Sequence, residues 1–244
     1  RSMATSGRGT GMVGYNVQAS VDTEHHLIVA HEVINEGHDR SQLTAMAQQT
    51  KATLQTDDLK VLADRGYFSG EEIMKCEQAG VTPLVPKPLT NNAATTGRFD
   101  KRDFHYDAKR DRYICPAGEH AIWRFTSIQN GMAIRKYWSS ACPKCAIRSD
   151  CTTSDYRRLM RWEHEAVIER MQQRLDRMPQ AGRLRRQTVE HTFGTLKSWM
   201  GATHFLTKRL PGVRTEMSLQ VLAYNLKRVM QIMGVQPLIA AMRA

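Results

Sequence analysis

The chain has 244 residues, 41% hydrophobic and 24% charged, a balance typical of one large or two small globular domains rather than a disordered chain. Lys and Arg number 35 against 24 Asp and Glu, and the resulting net charge of +11 favours a polyanionic partner such as nucleic acid. No apolar run predicts a membrane-spanning helix or a membrane partner. Five cysteines without an apolar leader favour the reducing cytoplasm over a disulfide framework.

The first predicted elements form a β-hairpin. Apolar and polar residues alternate from Tyr15 to Val21, which predicts a half-buried strand, and residues 26–34 predict its partner after a turn-like sequence. A helix capped by Asp39 or Ser41 is predicted to follow.

Two short apolar runs predict the next strands, over residues 59–63 and 81–85. A helix separates them, and it opens at Ser69 with capping-box spacing to Glu72. The succession of strand, helix and strand predicts a sheet that is at least partly parallel, and hence an α/β fold.

Three domains are predicted. Residues 1–87 form the first part of the α/β domain. Residues 88–157 lack a helical period and predict an inserted, Cys-containing subdomain of short strands and turns. From Leu159 onward apolar stripes at helical spacing predict that residues 158–244 form a helical second part, whose last helix runs from about Val213 to Met233.

Asp64 follows a predicted strand in the sequence LADRGY. Carboxylates at the ends of parallel strands face the crevice where ligands bind, and Mg²⁺ prefers oxygen ligands. The same position also suits a residue that caps a turn. The pattern alone leaves both interpretations open.

Glu190 is predicted to lie on a helix, with Arg186 four residues before it and Lys197 seven residues after it on the same face. This arrangement suits a metal ligand flanked by phosphate-binding cations, and it equally suits an ordinary ion-pair ladder. The preceding segment is dense in arginine, including Arg183 and Arg185, which fits either DNA phosphate contacts or a solvated helix face.

Four of the cysteines have spacings that suit a structural zinc ion: Cys115, Cys142, Cys145 and Cys151. His120 is an alternative ligand. The other interpretations are reduced core cysteines or a redox CxxC, although no strand-to-helix context supports the redox motif. Cys76 falls within a predicted helix and is interpreted as a packing residue.

Four segments together resemble bacterial insertion-sequence transposases of the DDE class. They are GYNVQASVDTEHHLIVAHEV (14–33), VLADRGYFSGEEI (61–73), RRQTVEHTFGTLKSWMG (185–201) and RTEMSLQVLAYNLKRV (214–229). The similarity extends from about residue 10 to residue 235, and its ADRGY and VEHTFGTLK boxes are specific in combination. It implies an RNase H-like fold, with a mixed sheet flanked by helices and interrupted by the Cys-containing insertion.

The resemblance implies that Asp64 is the second catalytic Asp and Glu190 the catalytic Glu, which together bind Mg²⁺ or Mn²⁺. Arg186 and Lys197 match the Arg and Lys of the family's Y-x2-R-x3-E-x6-K signature and would contact DNA phosphate. Arg183 stands where the signature has Tyr. The implied partner is double-stranded DNA, at the element ends and at the target, bound by a homodimer.

The family's first catalytic Asp lies upstream of the GYNVQ strand, and no Asp precedes residue 14. Asp22 ends a predicted strand at a hairpin turn, so it is interpreted as structural and only as a minor candidate for the missing ligand. We therefore expect a truncated chain that lacks the first strand, the first Asp and the family's helical N-terminal domain. The resemblance implies an enzyme, a transposase, and absence of the first Asp is a reason for this fragment to be inactive.

The predicted function is transposition of an insertion sequence through DNA cleavage and strand transfer. One alternative is a nuclease of the same fold that cuts without joining strands. The other is a non-enzymatic, zinc-stabilised DNA-binding remnant.

Overall fold

A computed structural model describes residues 2–4, 11–88 and 97–243 of the chain. It divides into two compact units, the first formed by residues 1–87 with 167–244 and the second by residues 88–166. Within the described ranges, no helix combines the length and the apolar composition needed to span a membrane.

The described residues form eleven strands. They are β1 (Ser2–Ala4), β2 (Gly11–Val13), β3 (Asn16–Val21), β4 (Ile28–Ile34), β5 (Leu59–Leu62), β6 (Val81–Leu84), β7 (His105–Asp107), β8 (Arg112–Ile114), β9 (His120–Gln129), β10 (Met132–Trp138) and β11 (Leu159–Trp162).

The same ranges contain seven α-helices. They are α1 (Leu43–Leu54), α2 (Gly70–Gln78), α3 (Glu165–Asp176), α4 (Ala181–Arg185), α5 (His191–Gly194), α6 (Arg209–Met233) and α7 (Val235–Arg243). Two π-helical segments, Arg186–Glu190 and Thr195–Trp199, alternate with α4 and α5.

The first unit contains the predicted hairpin and the predicted parallel pair. β3 and β4 are antiparallel, with Asn16 opposite Ile34, while β5 and β6 are parallel, with Leu59 opposite Val81. Strand pairs of both directions, joined through helices, make a mixed α/β architecture that is consistent with the predicted RNase H-like class.

Two hydrophobic clusters hold this unit together. In one, buried side chains of α1, α2 and α3 pack on β5 and β6, with Leu43, Ile73 and Met171 each no more than 2% exposed. In the other, α6 packs on the β3–β4 hairpin through Val213, Met217 and neighbouring residues. Burial of these apolar faces is the main favourable term in the stability of the unit.

The second unit is an antiparallel sheet in the order β11-β10-β9-β8-β7, in which β9 and β10 have ten and seven residues and the other strands are short. One face packs around Tyr137, which is completely buried, and around Tyr113 and Leu159. The phenols of Tyr137 and Tyr106 both donate to Oδ1 of the partly exposed Asp111, which satisfies the hydroxyl groups at the edge of this core.

Three local predictions were wrong. Residues from Leu159 form β11, paired with β10, and helix α3 begins only at Glu165. Ser69 occupies the N-cap position of α2 as predicted, but the capping box does not form: its side chain makes no cap, and the carboxylate of Glu72 accepts a hydrogen bond from the backbone N–H of Thr44. Asp39 does not cap α1, whose N-cap position is taken by Gln42.

Candidate active site

Asp64 lies two residues beyond the end of β5, at an exposed turn. It caps the 3₁₀ turn Arg65–Tyr67, because its Oδ1 accepts a 2.6 Å hydrogen bond from the backbone N–H of Gly66. The capping interpretation is therefore correct. It is compatible with a functional role, since Oδ2 takes no part in the cap.

A second carboxylate, from Asp39, lies beside Asp64. A Cβ atom placed on Gly66 would lie 2.9 Å from Asp64 Oδ1 and 3.3 Å from Asp39 Oδ2, so both carboxylates border the same point. A larger residue at position 66 would require the carboxylate of Asp64, and to a lesser extent that of Asp39, to shift. The glycine of the ADRGY box thus permits the close approach of two acidic side chains.

Asp39 is held in place by two side-chain amides from β3. Its Oδ1 accepts hydrogen bonds from Asn16 Nδ2 at 2.6 Å and from Gln18 Nε2 at 2.7 Å. Gln18 is 1% exposed, and its amide oxygen accepts a hydrogen bond from the hydroxyl of Tyr67. A network therefore runs from the turn of Asp64 through β3 to Asp39.

The pKa of Tyr67 depends on the charges around this network. Burial, together with the negative charges of Asp39 and Asp64, raises the pKa of the Tyr67 phenol far above its ordinary value, and the nearby cation Arg185 opposes the shift. The phenol therefore stays protonated and remains a hydrogen-bond donor to Gln18.

Glu190 ends the π-helical segment Arg186–Glu190. Its Oε1 lies 3.1 Å from Arg185 Nη2, while the predicted neighbour Arg186 is exposed. A π-helix brings residues i and i+5 together, so the inserted residue moves the ion pair from position 186 to position 185. The Glu190 side chain remains 58% exposed and open to a ligand.

The structure brings the predicted residues together only in part. Arg185 pairs with Glu190 at 3.1 Å, and the charges of both Asp64 and Arg185 influence the pKa of the Tyr67 phenol, but no direct contact joins the two candidate catalytic acids in the described residues. α4 lies against β5, which accounts for the proximity of Arg185 to Tyr67.

The other predicted phosphate-binding residues are exposed on the same helical stretch. Arg183 and Arg186 point away from the core, and the Lys197 ammonium lies 6.0 Å from the centre of the Phe193 ring. These side chains are accessible to a polyanion.

Asp22, the minor candidate ligand, is used in the hairpin turn between β3 and β4. Its two carboxylate oxygens accept hydrogen bonds from the backbone N–H groups of Glu24 and His25. Although its partial burial opposes the shift, these bonds lower the pKa of Asp22. The contacts support the structural interpretation.

The donors at this site suit a hard divalent cation, because Asp64, Asp39 and Glu190 supply carboxylate oxygens on exposed or half-buried side chains. In the part of the chain that the structure describes, however, no three His, Cys, Asp or Glu side chains are grouped so that they could hold a metal ion. These carboxylates are therefore chemically suited to Mg²⁺, but the described residues do not bring three of them close enough together to form a metal site.

The four predicted zinc ligands, all in the second unit, line one cavity: Cys115, Cys142, Cys145 and Cys151. All four are free thiols. Burial and the three neighbouring thiols raise the pKa of Cys151, against the effect of Arg157. Cys76, which was predicted to be a packing residue, is completely buried in the core formed by α1 and α2. Burial raises the pKa of its thiol to about 11.

Two tight turns carry three of these thiols, one turn with Cys142 and Cys145 and the other with Cys115. The N–H of Cys145 donates to the carbonyl of Cys142, and the N–H of Gly118 donates to the carbonyl of Cys115. Gly118 has φ +78, a conformation that favours glycine and closes the Cys-Pro-Ala-Gly turn. His120, the alternative ligand, is absent from the lining of the cavity.

Several arginines that were candidate DNA contacts have structural partners. Arg170 and Arg174 pair with Glu77 at 2.7 and 2.6 Å, and the Arg161 guanidinium lies 3.7 Å from the centre of the Tyr106 ring. Some arginines of this segment therefore make contacts within the protein, while others, near Glu190, are exposed.

Sequence reasoning missed Asp39, Gln18 and Tyr67 as parts of the site. Gln18 carried a usable signal, because a polar residue in the GYNVQ strand must pair with a partner if it is buried. The partner itself lay more than twenty residues away, beyond the reach of local patterns.

Residues 2–226 match the family model described as the transposase DDE domain. No curated protein and no solved structure matches the chain significantly. The family match spans Asp64, Glu190 and the whole of the second unit.

Proposed function

The chain belongs to the transposase DDE domain family, and from this membership we propose that it binds the ends of an insertion sequence and catalyses their Mg²⁺-dependent cleavage and strand transfer. The observation that carries the proposal is the pair of carboxylates, Asp64 and Asp39, that border one point at the end of β5. Glu190, the other candidate acid, is held by Arg185 at 3.1 Å.

Asp64 and Glu190 are the proposed ligands of Mg²⁺, or of Mn²⁺ in its place. A divalent ion there would supply charge stabilisation and an activated nucleophile for phosphodiester chemistry. The role of this chain's own residues is to present the carboxylates. The Asp64 turn is fixed by its cap and by the Tyr67–Gln18 contact, and Glu190 is held by Arg185.

Arg183, Arg186 and Lys197 are proposed to contact phosphates of double-stranded DNA at the element end and at the target. Their exposure beside Glu190 supports this role. Because two element ends must be processed together, we propose that the active form is a homodimer. Its place of action is the cytoplasm, where the DNA lies.

The test is cleavage of a labelled element end with Mg²⁺, for this chain and for one extended at its N-terminus by any in-frame upstream codons. We expect that Asp64→Ala and Glu190→Ala each abolish cleavage while DNA binding persists. Asp57→Ala, which removes a fully exposed acid, is the matched control. Wild-type cleavage by the Glu190→Ala variant would overturn the assignment.

Strand transfer separates the proposal from its nuclease alternative. A transposase joins the cleaved 3′ end to a supplied target duplex, and the joined product is longer than either substrate. Cleavage without any joined product would favour a nuclease of the same fold.

The second candidate function is a zinc-stabilised DNA-binding protein without catalysis. Four thiols line one cavity in a unit with a small core, which favours it, although among the described residues they are not grouped closely enough to hold a metal ion as they stand. Thiolates are preferred zinc ligands, and zinc would connect the Cys115 turn to the Cys142–Cys145 turn and to Cys151.

Metal analysis of the purified chain tests the zinc proposal. We expect one zinc per chain, its loss in Cys142→Ser/Cys145→Ser, and its retention in Cys76→Ser, which alters a thiol outside the cavity. Zinc at one per chain together with DNA binding and no cleavage would favour the non-enzymatic candidate. Absence of zinc from protein purified without chelators would remove the zinc proposal.

A further inference from the structure

One face of the sheet in the second unit is exposed and carries aromatic, apolar and cationic side chains. The strand register places Phe125, Lys136 and Met160 in one row across β9, β10 and β11, and it places Ile122 opposite Trp138 in the next row. We call these five residues, with Arg124, Tyr156 and Arg158, the aromatic–cation face.

The apolar members of this face are exposed in spite of their size. Ile122 is 45% exposed, Phe125 44% and Met160 53%. The opposite face of the same sheet holds the core around Tyr137 and Leu159. Large apolar side chains outside a core that is already filled are typical of an interaction surface.

Three cations lie against the rings of this face. The guanidinium carbons of Arg124 and Arg158 are 5.5 and 5.9 Å from the centre of the Trp138 ring, and Lys136 Nζ is 5.2 Å from that of Phe125. Cation–π contacts of this length hold the charged groups in place without neutralising them.

None of these three cations pairs with a carboxylate in the described part of the chain. Arg124 donates instead to the Trp138 carbonyl and to Ser140 Oγ at 2.7 Å. Acids of the same unit pair with other cations, among them Asp107 with Arg112. Residues 88–166 contain fourteen Lys and Arg against nine Asp and Glu, and part of this excess positive charge lies on the aromatic–cation face.

A partner for this face must be anionic and must also offer flat, apolar groups. Nucleic acid combines both, since its phosphates complement the cations while sugars and bases contact aromatic rings. We propose that the aromatic–cation face is a DNA-binding surface formed by residues of the second unit, in addition to the cations beside Glu190 in the first. The proposal rests on the proposed function only in choosing DNA among the nucleic acids.

The test is DNA affinity as a function of salt, measured by fluorescence anisotropy with a duplex and a single strand of equal length. In Lys136→Ala/Arg158→Ala we expect at least a tenfold weaker affinity at low salt, and a log–log salt slope for the duplex shallower by roughly two contacts, or about 1.8. Phe125→Ala should weaken binding of the single strand more than that of the duplex, because exposed rings stack on unpaired bases.

The matched control is Lys109→Ala/Arg110→Ala, which removes the same charge at the exposed turn between β7 and β8. Equal weakening by the control and by the face variant would overturn the proposal, because net charge alone would then account for the effect. Thermal unfolding of each variant, which should match wild type, identifies any misfolding. If a variant unfolds early, Lys136→Gln/Arg158→Gln replaces it.

Cleavage assays keep this inference distinct from the proposed function. Loss of salt-dependent binding in the face variant would support the face even if the wild-type chain never cuts DNA. Unchanged binding and cleavage by the face variant would overturn the face and leave the catalytic proposal intact.

Discussion

The carboxylate of Asp39 accepts a 2.7 Å hydrogen bond from Gln18 Nε2, which joins the segment before α1 to the middle of β3. The side-chain oxygen of Gln18 accepts a hydrogen bond from the hydroxyl of Tyr67. Because a buried amide costs free energy unless both of its ends are paired, these contacts make Gln18 a connector of three chain segments at the turn of Asp64.

Replacement of Gln18 by leucine should destabilise the protein. The variant keeps the side-chain volume but leaves the Tyr67 hydroxyl and one lone pair of Asp39 without their partner, at a cost of about 1–3 kcal/mol. Urea unfolding followed by circular dichroism measures the change. Gln48→Leu, at an exposed position on α1, should change the free energy of unfolding by less than about 0.5 kcal/mol.

Equal effects of the two glutamine variants would mean that the network contributes nothing specific. A larger loss for Gln18→Leu with an unchanged denaturant dependence would locate the loss in the native contacts rather than in the unfolded chain.

Arg185 and Arg186 are neighbours in sequence and should differ in function. Arg185 holds Glu190, so Arg185→Ala should slow end cleavage at saturating DNA while the Kd changes little. Arg186 is exposed, so Arg186→Ala should weaken DNA affinity and reduce the log–log salt slope by about 0.9, the value for one phosphate contact. Single-turnover cleavage and anisotropy titrations measure the two effects.

The reverse pattern, with Arg186 governing cleavage, would indicate that the helix reverts to ordinary α-helical spacing when DNA binds. If Arg185→Ala and Arg186→Ala had the same effects on cleavage and on DNA affinity, the two arginines would not have the different roles that the π-helical segment suggests.

Much of the first unit was predictable, because its strands and helices satisfy local rules. The alternation from Tyr15 to Val21 and the apolar run before Asp64 gave β3 and β5 with bounds within two residues. The position of Asp64 beyond a predicted strand is likewise observed, two residues after β5. These features follow from periodicity and burial, which act over a few residues.

What the sequence did not reveal depends on contacts between distant residues. Glu72 does not complete a capping box because its carboxylate accepts a hydrogen bond from the backbone N–H of Thr44. Leu159 does not begin a helix because it pairs with β10 as part of strand β11. The shift of the ion pair from Arg186 to Arg185 needs an extra residue in a helical turn, which leaves no compositional mark.

Asn225 on α6 should be important for the stability of the hairpin. Its side-chain oxygen accepts the N–H of Ile28 and its nitrogen donates to the carbonyl of the same residue, both at 2.9 Å. Asn225→Leu leaves both backbone groups without a partner, and we expect a loss of about 1–3 kcal/mol in the free energy of unfolding. Chemical denaturation measures it, with the exposed Gln231→Leu on the same helix as the control.

Hydrogen exchange gives an independent outcome for this variant. The amide of Ile28 should exchange faster in Asn225→Leu, while amides of β5 keep their protection. A uniform increase in the amide exchange rates of the β3–β4 and β5–β6 pairs would show that the variant unfolds the whole unit instead of releasing only the edge of β4.

Glu77 should make the stability of the first unit depend on pH. Although partial burial opposes the shift, hydrogen bonds from Arg170 and Arg174 hold the pKa of Glu77 below its ordinary value. A carboxyl group with a lowered folded-state pKa stabilises the fold above its unfolded pKa, near 4.3, and this contribution is lost as the pH falls through the folded value. We therefore expect Glu77→Gln to cost about 1 kcal/mol at pH 7 and progressively less below pH about 4.

Urea unfolding of wild type and Glu77→Gln across this pH range measures the difference. Glu24→Gln, which changes an exposed acid in the β3–β4 turn, is the matched control and should follow wild type at every pH. A constant difference between wild type and Glu77→Gln down to low pH would contradict the ion pairs, because protonation must remove the attraction of the carboxylate for both arginines. Convergence of the two curves on acidification, with the control unchanged, would attribute the effect to the Glu77 contacts with α3.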